Sequence, residues 1–274
     1  MRLIDVRHLG IEKVIGCWEL DGVLVDPGPT SSIETVLKSV EGEPRAVLLT
    51  HIHLDHAGGA GALVRRWPRL TVYVHERGAP HLADPARLLA SAERLYGDQM
   101  ERLWGEVVPV PEQNLHALSG GEEELGFRVA YTPGHASHHL SYLHLESGRA
   151  FVGDTAAVRI PPSDYVLPPT PPPDVDLEAW NRSLDEILDW SPDSLGLTHF
   201  GGVPNPAAHL ELVRQRLREQ AERAQTMSAE EFERVLIEEV EREAGPEAAP
   251  VMLQAVPPEQ QYPGLSRYWA KKTG

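Results

Sequence analysis

The chain holds a single cysteine, Cys17, among its 274 residues. No internal disulfide can form. Its place between Gly16 and Trp18, in an apolar stretch, reads as a small buried hydrophobe rather than a nucleophile. Positive charge is scarce too: 25 lysines and arginines face 41 aspartates and glutamates, a formal net charge of -16. Such a surface repels nucleic-acid phosphates and anionic membranes, so neither is an expected partner. No apolar run approaches the ~18 residues of a membrane span. The opening "MRLIDVRHLG" carries charges at Arg2, Asp5 and Arg7, where a secretory signal needs an apolar core. A cytoplasmic protein is therefore expected. Internal repeats are lacking. What is present is an ordinary globular composition, 41% apolar and 24% charged, long enough for one large domain with or without an appendage.

Alternating apolar and polar residues over 3–26, ending in "GVLVDPGP", predict strands closed by a Pro/Gly turn. Thr30 to Val40 predicts a helix, Arg45 to Thr50 a buried strand, Gly58 to Trp67 a helix and "TVYVH" at 71–75 a strand. Residues 80–104 have a helical pattern, with Leu88, Leu89, Ala92, Leu95 and Tyr96 on one stripe. Strands are predicted again over 115–131, 140–145 and 149–152. This mixed order points to an α+β arrangement of two sheets with helices packed outside them. The segment "PPSDYVLPPTPPP" at 161–173 can enter neither a helix nor a central strand, so it is a stiff loop, either a linker or a lid. From 206 the pattern turns helical. Ser228 followed by Glu231 reads as a capping box, and Tyr268 and Trp269 read as plugs for the main body.

Four islands share one grammar, a short apolar strand followed by a residue able to bind a metal. They are "AVLLTHIHLDHAGG" at 46–59, "VAYTPGHASHH" at 129–139, "FVGDT" at 151–155 and "LGLTHFGG" at 195–202. Strand ends on one rim of a sandwich converge in space. In the first island His51 and His53 differ by two and point the same way in extended backbone. Asp55 and His56 follow as the chain turns toward a second point nearby. Imidazole and carboxylate suit zinc and other first-row divalent metals. Among the remaining histidines, His139 could orient a ligand through its other nitrogen. His8, His75, His81, His116, His144 and His209 are expected to be surface or satisfied structural groups, and His138 is a weaker candidate than His139.

"THIHLDHAGG", "TPGHASHH", "FVGDT" and "LTHFGG" resemble the ordered motif set of the metallo-β-lactamase superfamily, and most closely its glyoxalase-II-like hydrolase branch. The resemblance covers about Leu3 to His199. It implies a four-layer αββα sandwich at 1–203, and the helical pattern beyond reads as a C-terminal helical extension at 204–274 packed on the catalytic domain. It also implies that His51, His53 and His135 hold one metal, that Asp55, His56 and His199 hold a second, and that Asp154 bridges the two. "LVDPGP" resembles the motif before the metal loop, which makes Asp26 a supporting residue behind the ligands. The expected cofactors are two divalent ions, zinc first, with iron or manganese as alternatives.

The implied activity is hydrolysis of a small ester, thioester or lactone by a metal-bound hydroxide, with Asp55 orienting the nucleophile or shuttling its proton. After Asp154 the sequence reads "TAAVRIPPSDYVLPP", unlike the Arg- and Phe-rich stretch of glutathione-thioester hydrolases. Arg159 is the nearby cation and Tyr165 the nearby tyrosine, so both are candidate substrate contacts. Two other readings stand beside this one. One is a single-iron persulfide dioxygenase using a subset of the ligands. The other is a metal-binding interaction protein whose C-terminal helices recruit a partner. Those helices could instead cover the active-site mouth or form a homodimer interface, although their apolar stripes are equally explained by packing on their own domain.

Overall fold

Two six-stranded sheets pack face to face. The computed structural model describes residues 1–273; Gly274, the last residue of the expected extension, lies outside them. The first sheet runs in chain order from β1 (Arg2–Asp5) through β2 (Gly16–Leu20), β3 (Val23–Val25), β4 (Ala46–Leu48) and β5 (Thr71–His75) to β6 (Leu115–Leu118). The second runs from β7 (Glu123–Glu124) through β8 (Phe127–Tyr131), β9 (Leu140–His144), β10 (Arg149–Phe151) and β11 (Ser194–Leu197) to β12 (Gly201–Val203).

Strands β3 to β6 are parallel, as are β10 and β11. Parallel neighbours need a crossover, and helices supply it. Helix α1 (Ile33–Ser39) joins β3 to β4. Helices α2 (Leu54–Ala57) and α3 (Ala60–Arg66) join β4 to β5. Helices α4 (Ala79–Ala83), α5 (Ala86–Tyr96) and α6 (Met100–Trp104) join β5 to β6, and α7 (Leu177–Asp189) joins β10 to β11. The helical pattern over 80–104 is thus three helices, the second ended by Gly97 at φ 51°.

Strand alternation builds the layers. Val23, Val25, Ala46 and Leu48 point between the sheets, against Phe127, Val129, Tyr142 and Phe151. Leu24 and Val47 point the other way, onto Ile33, Val36, Leu63 and Val64 of the helical layer. On the far side Ala150, Leu195 and Leu197 meet Trp180, Leu184 and Ile187 of α7. Each such side chain, fully buried, contributes roughly 1.5–3 kcal/mol. The result is the expected αββα sandwich.

Three helices follow: α8 (Pro206–Thr226), α9 (Ala229–Ala255), broken at Gly245, and α10 (Gln261–Thr273). Helix α9 is capped by Ser228, whose Oγ accepts from the Glu231 N–H at 3.2 Å, an interaction of about 1 kcal/mol. Phe232, Leu236, Val240, Leu265 and Tyr268 pack on Leu167 of the proline-rich segment and on Val158, Ile160 and Val175 beside it. Trp269 donates from Nε1 to the Ala221 carbonyl at 2.9 Å. Both tail aromatics therefore face the protein's own body. No helix among the described residues is long and apolar enough to cross a membrane.

Candidate metal centre

The parallel pairing of β3 with β4 and of β10 with β11 turns their C-terminal ends to a common rim. Hydrogen bonds tie the two sheets together there. The Leu140 N–H donates to the Thr50 carbonyl at 2.7 Å, the Gly16 N–H to the Thr198 carbonyl at 2.8 Å, and the Tyr142 hydroxyl to the Leu49 carbonyl at 2.8 Å. His51 follows β4, His135 follows β8, Asp154 follows β10 and His199 follows β11. Gly153 makes the turn that presents Asp154. Its φ is 43°, and a Cβ there would lie 2.5 Å from Thr50 Oγ1 and 2.7 Å from His139 Nε2. Only glycine fits without displacement.

All seven expected ligands come together, in two groups. His51, His53, His135 and Asp154 offer donor atoms within 4.8 Å of one another, and so do Asp55, His56 and His199. Asp154 faces both groups. Its Oδ2 is 3.3 Å from His135 Nε2, and its Oδ1 is 3.2 Å from His56 Nε2 and 3.6 Å from His199 Nε2. Asp55 Oδ2 lies 3.4 Å from His199 Nε2 and 3.6 Å from His56 Nε2.

Hydrogen bonds behind the ligands decide which ring nitrogen is free. His135 Nδ1 donates to the Pro169 carbonyl at 2.9 Å, and His199 Nδ1 to the Val14 carbonyl at 2.6 Å. A carbonyl accepts only, so each Nδ1 carries a proton, and in the neutral ring each Nε2 keeps its lone pair. His56 Nδ1 is fixed in the same way by Asp26 Oδ2 at 2.8 Å. Asp26 also accepts from the Thr50 N–H at 2.8 Å and from the Thr50 and Thr198 hydroxyls at 2.7 and 2.8 Å. Because the Thr50 hydroxyl donates to Asp26, it accepts from His51 Nδ1 at 3.1 Å and leaves His51 Nε2 as the free atom.

These donors fit a pair of cations. Buried His51 Nε2 and Asp154 Oδ1 make no hydrogen bond among the described residues. His135 Nε2 faces His53 Nδ1 at 3.0 Å, and His199 Nε2 faces His56 Nε2 at 3.3 Å, nitrogen against nitrogen. Buried polar atoms without partners are costly, and a shared cation satisfies them. Charge agrees. Burial, reinforced by neighbouring histidines, holds His51 well below its usual pKa and lowers His53 to about 4, so both stay neutral donors. Burial also opposes protonation of His56 and His199, but Asp154 and Asp55 outweigh it and raise both. Burial likewise disfavours the Asp154 anion, yet His56, His135 and His199 hold it well below the usual carboxylate range. Positive charge is stabilised beside these carboxylates, as a metal requires.

His139 lies beside the ligands without bonding to one. Its Nδ1 contacts the Thr132 and Thr155 hydroxyls at 2.9 and 3.2 Å, its Nε2 makes no hydrogen bond among the described residues, and its ring stacks on His51 with centroids 5.1 Å apart. It supports His51 by packing, not through its second nitrogen.

A cavity of about 440 Å³ opens beside both groups, with His53, Asp55, His135 and Asp154 in its wall. Two expected substrate contacts are absent from it. Tyr165 is only 7% exposed, and its hydroxyl donates to Glu239 Oε1 at 3.0 Å beneath the C-terminal helices. The Arg159 guanidinium pairs with Asp164, while its N–H donates to the His199 carbonyl at 2.7 Å. Both sequence-based assignments are corrected, because the chain turns these side chains away from the rim. His81, expected to be structural, lines the cavity, as do His138, Arg77, Arg87, Ser137 and Asp174. Only His138, three residues from His135, carried a local sequence signal. Pro169 and Pro171 to Pro173 form part of the wall, so this stretch of the proline-rich segment is not a free linker.

A model described as the Metallo-beta-lactamase superfamily matches residues 19–199. A metallo-beta-lactamase fold-containing protein of Sulfurisphaera tokodaii, ST1585, is 30% identical over 208 residues, 73% of this chain and 76% of that one. The crystal structure of ST1585, from Sulfolobus tokodaii, superposes with a TM-score of 0.70 at 23% identity over 92% of this chain and 93% of that one. TTHA1623, solved in a di-iron-bound form, gives a TM-score of 0.53 at 26% identity over 72% and 91% of the two chains. A hydroxyacylglutathione hydrolase of Legionella pneumophila is 30% identical over 146 residues, and the match spans about half of each, 53% of this chain and 45% of that one. With the matched region ending at His199, the last of the seven converging donors, the chain belongs to the metallo-β-lactamase superfamily.

Proposed function

We propose that the chain is a dinuclear metal-dependent hydrolase of a small ester, thioester or lactone. The observation that carries this reading is two complete donor groups sharing Asp154 at the wall of one cavity. Two divalent ions in such a site supply a nucleophilic water at neutral pH and polarise the carbonyl under attack. His51, His53 and His135 would hold one ion and Asp55, His56 and His199 the other, with Asp154 in reach of both groups. The carbonyls of Pro169 and Val14 and the carboxylate of Asp26 hold the Nδ1 protons of His135, His199 and His56, so the neutral rings present Nε2 to the site. Burial disfavours the Asp55 anion, but His56 and His199 outweigh it and hold its carboxyl well below the usual carboxylate range. Asp55 therefore stays ionised and orients water rather than storing a proton, because a general base works best near the operating pH.

The cavity narrows the substrate. Leu54, Leu88, Ala92 and Val256 give it an apolar wall, while Arg77 and Arg87 add positive charge in a strongly acidic protein. Arg77 is held by the Tyr131 hydroxyl at 3.0 Å, and Arg87 has no ion-pair partner among the described residues. An acyl substrate with an apolar body and an anionic substituent suits this surface. The complete second group of donors favours hydrolysis over a single-iron persulfide dioxygenase. The donors suit zinc and iron alike, and likeness to a protein solved in a di-iron-bound form supports iron beside zinc. The test is metal analysis of the purified protein, followed by a panel of esters, thioesters and lactones with the metal found. Two metals per chain and hydrolysis abolished by Asp154→Asn are expected. One iron per chain with oxygen uptake on a persulfide would overturn the reading.

A further inference from the structure

Among residues 168–173, "PPTPPP", five of six are prolines and carry no N–H. Thr170 is the single residue of this run that can anchor it through a backbone donor. Its N–H donates to Gln261 Oε1 at 2.5 Å, and its hydroxyl contacts Gln261 Oε1 and the Gln261 carbonyl, both at 3.2 Å. Thr170 and Gln261 are both buried. Gln261 is itself held, its Nε2 donating to the Pro257 carbonyl at 2.8 Å. Three residues on, Gly264 lets α10 press against the same run, since a Cβ there would lie 2.0 Å from the Thr170 carbonyl oxygen.

The residue before Thr170 is Pro169, whose carbonyl accepts from His135 Nδ1 at 2.9 Å. We propose that Gln261 is a positioning residue for the metal centre: by anchoring Thr170 it places the Pro169 carbonyl that aims His135. The inference rests on the dinuclear reading above. Gln261 lies outside the matched residues 19–199, so the C-terminal extension reaches into the ligand geometry of the superfamily core. Gln261 and the anchored prolines also line the cavity, so one side chain sets both the ligand and its adjacent wall.

His135 belongs to the first donor group and not to Asp55, His56 and His199. The consequence is selective. Removing the acceptor with Gln261→Leu should weaken the first site by roughly tenfold, the lower end of what orienting contacts contribute, and leave the second close to wild type. Titration of the apo-protein with Zn²⁺ against a chromophoric chelator reads this without activity. Measured against the wild-type titration, one of the two sites should weaken by about that factor and the other should not. Gln261→Glu keeps an acceptor oxygen for the Thr170 N–H and, in its protonated form, a donor for the Pro257 carbonyl, so it should restore much of the first site. Tyr165→Phe serves as the control, because it removes a bond to α9 remote from His135. It should lower the melting temperature and keep both metals. Equal weakening of both sites in Gln261→Leu, or unchanged binding in a folded variant, would overturn the proposal. Wild-type protein that binds fewer than two Zn²⁺ would instead overturn the dinuclear reading.

Discussion

Asp26→Asn tests the tautomer logic of the site. The substitution keeps size and shape, and the Asn carbonyl can still accept from the Thr50 N–H. Its amide nitrogen then stands where Oδ2 accepted from His56 Nδ1 at 2.8 Å and from the Thr50 and Thr198 hydroxyls at 2.7 and 2.8 Å. An amide donates. His56 answers by giving up the proton on Nδ1 and placing it on Nε2, the atom that faces His199, Asp55 and Asp154. A protonated Nε2 cannot bind a metal, so binding must first restore the other tautomer and set two donors against each other. Hydrogen bonds to a buried charge contribute about 1.5–3 kcal/mol each, and losing one at this point is worth about 10–100-fold in affinity. The hydroxyls rotate to new acceptors, so overall stability should fall by only about 2–4 kcal/mol, a drop in Tm of roughly 4–16 °C for a chain of this size. Chelator competition on the folded variant should show both sites weakened, the Asp55/His56/His199 site through His56 and the first site through the Thr50 hydroxyl that sets the tautomer of His51. A folded Asp26→Asn protein with two metals at wild-type affinity would refute the reasoning.

Two further perturbations probe the turn and the cavity. Gly153→Ala adds a Cβ 2.5 Å from Thr50 Oγ1 at a positive φ, so Asp154 must shift; we expect about 1–3 kcal/mol of destabilisation by thermal melting, with metal binding lost from both groups. Arg87→Ala should raise KM for a carboxylate-bearing substrate by about tenfold, equivalent to about 1.4 kcal/mol, while kcat and the KM of a neutral ester stay unchanged, as steady-state kinetics on matched substrates will show.

The candidate donors were legible because their order is local. His51, His53, Asp55 and His56 sit in one short stretch, and each distant partner follows an apolar strand of its own. Strand ends meet at a rim in any two-layer sandwich, so grammar alone anticipated the convergence of His135, Asp154 and His199. The cavity wall was not legible. Leu88, Ala92 and Tyr96 form a helical stripe that reads as core, and Leu95 within it is 38% exposed. Periodicity reports that a face is apolar, not whether protein or ligand covers it. Tyr165 and Arg159 failed for the opposite reason. Nearness in sequence to Asp154 suggested nearness to substrate, but the proline-rich chain turns Tyr165 under α9 and spends the Arg159 N–H on the His199 carbonyl.

That failure explains what the C-terminal helices do. A run of prolines cannot hold itself by backbone hydrogen bonds, so its path depends on the partners of Thr170 and on the apolar contacts of Leu167 and Val175. Those partners lie on α9 and α10. The superfamily core supplies the donor atoms, yet one of its ligands takes its orientation from a carbonyl in a segment that the core alone does not fix. A chain shortened before Gln261 would keep all seven donors and lose the contact that fixes the acceptor of His135. The extension is therefore part of the centre's geometry even though it contributes no ligand to it.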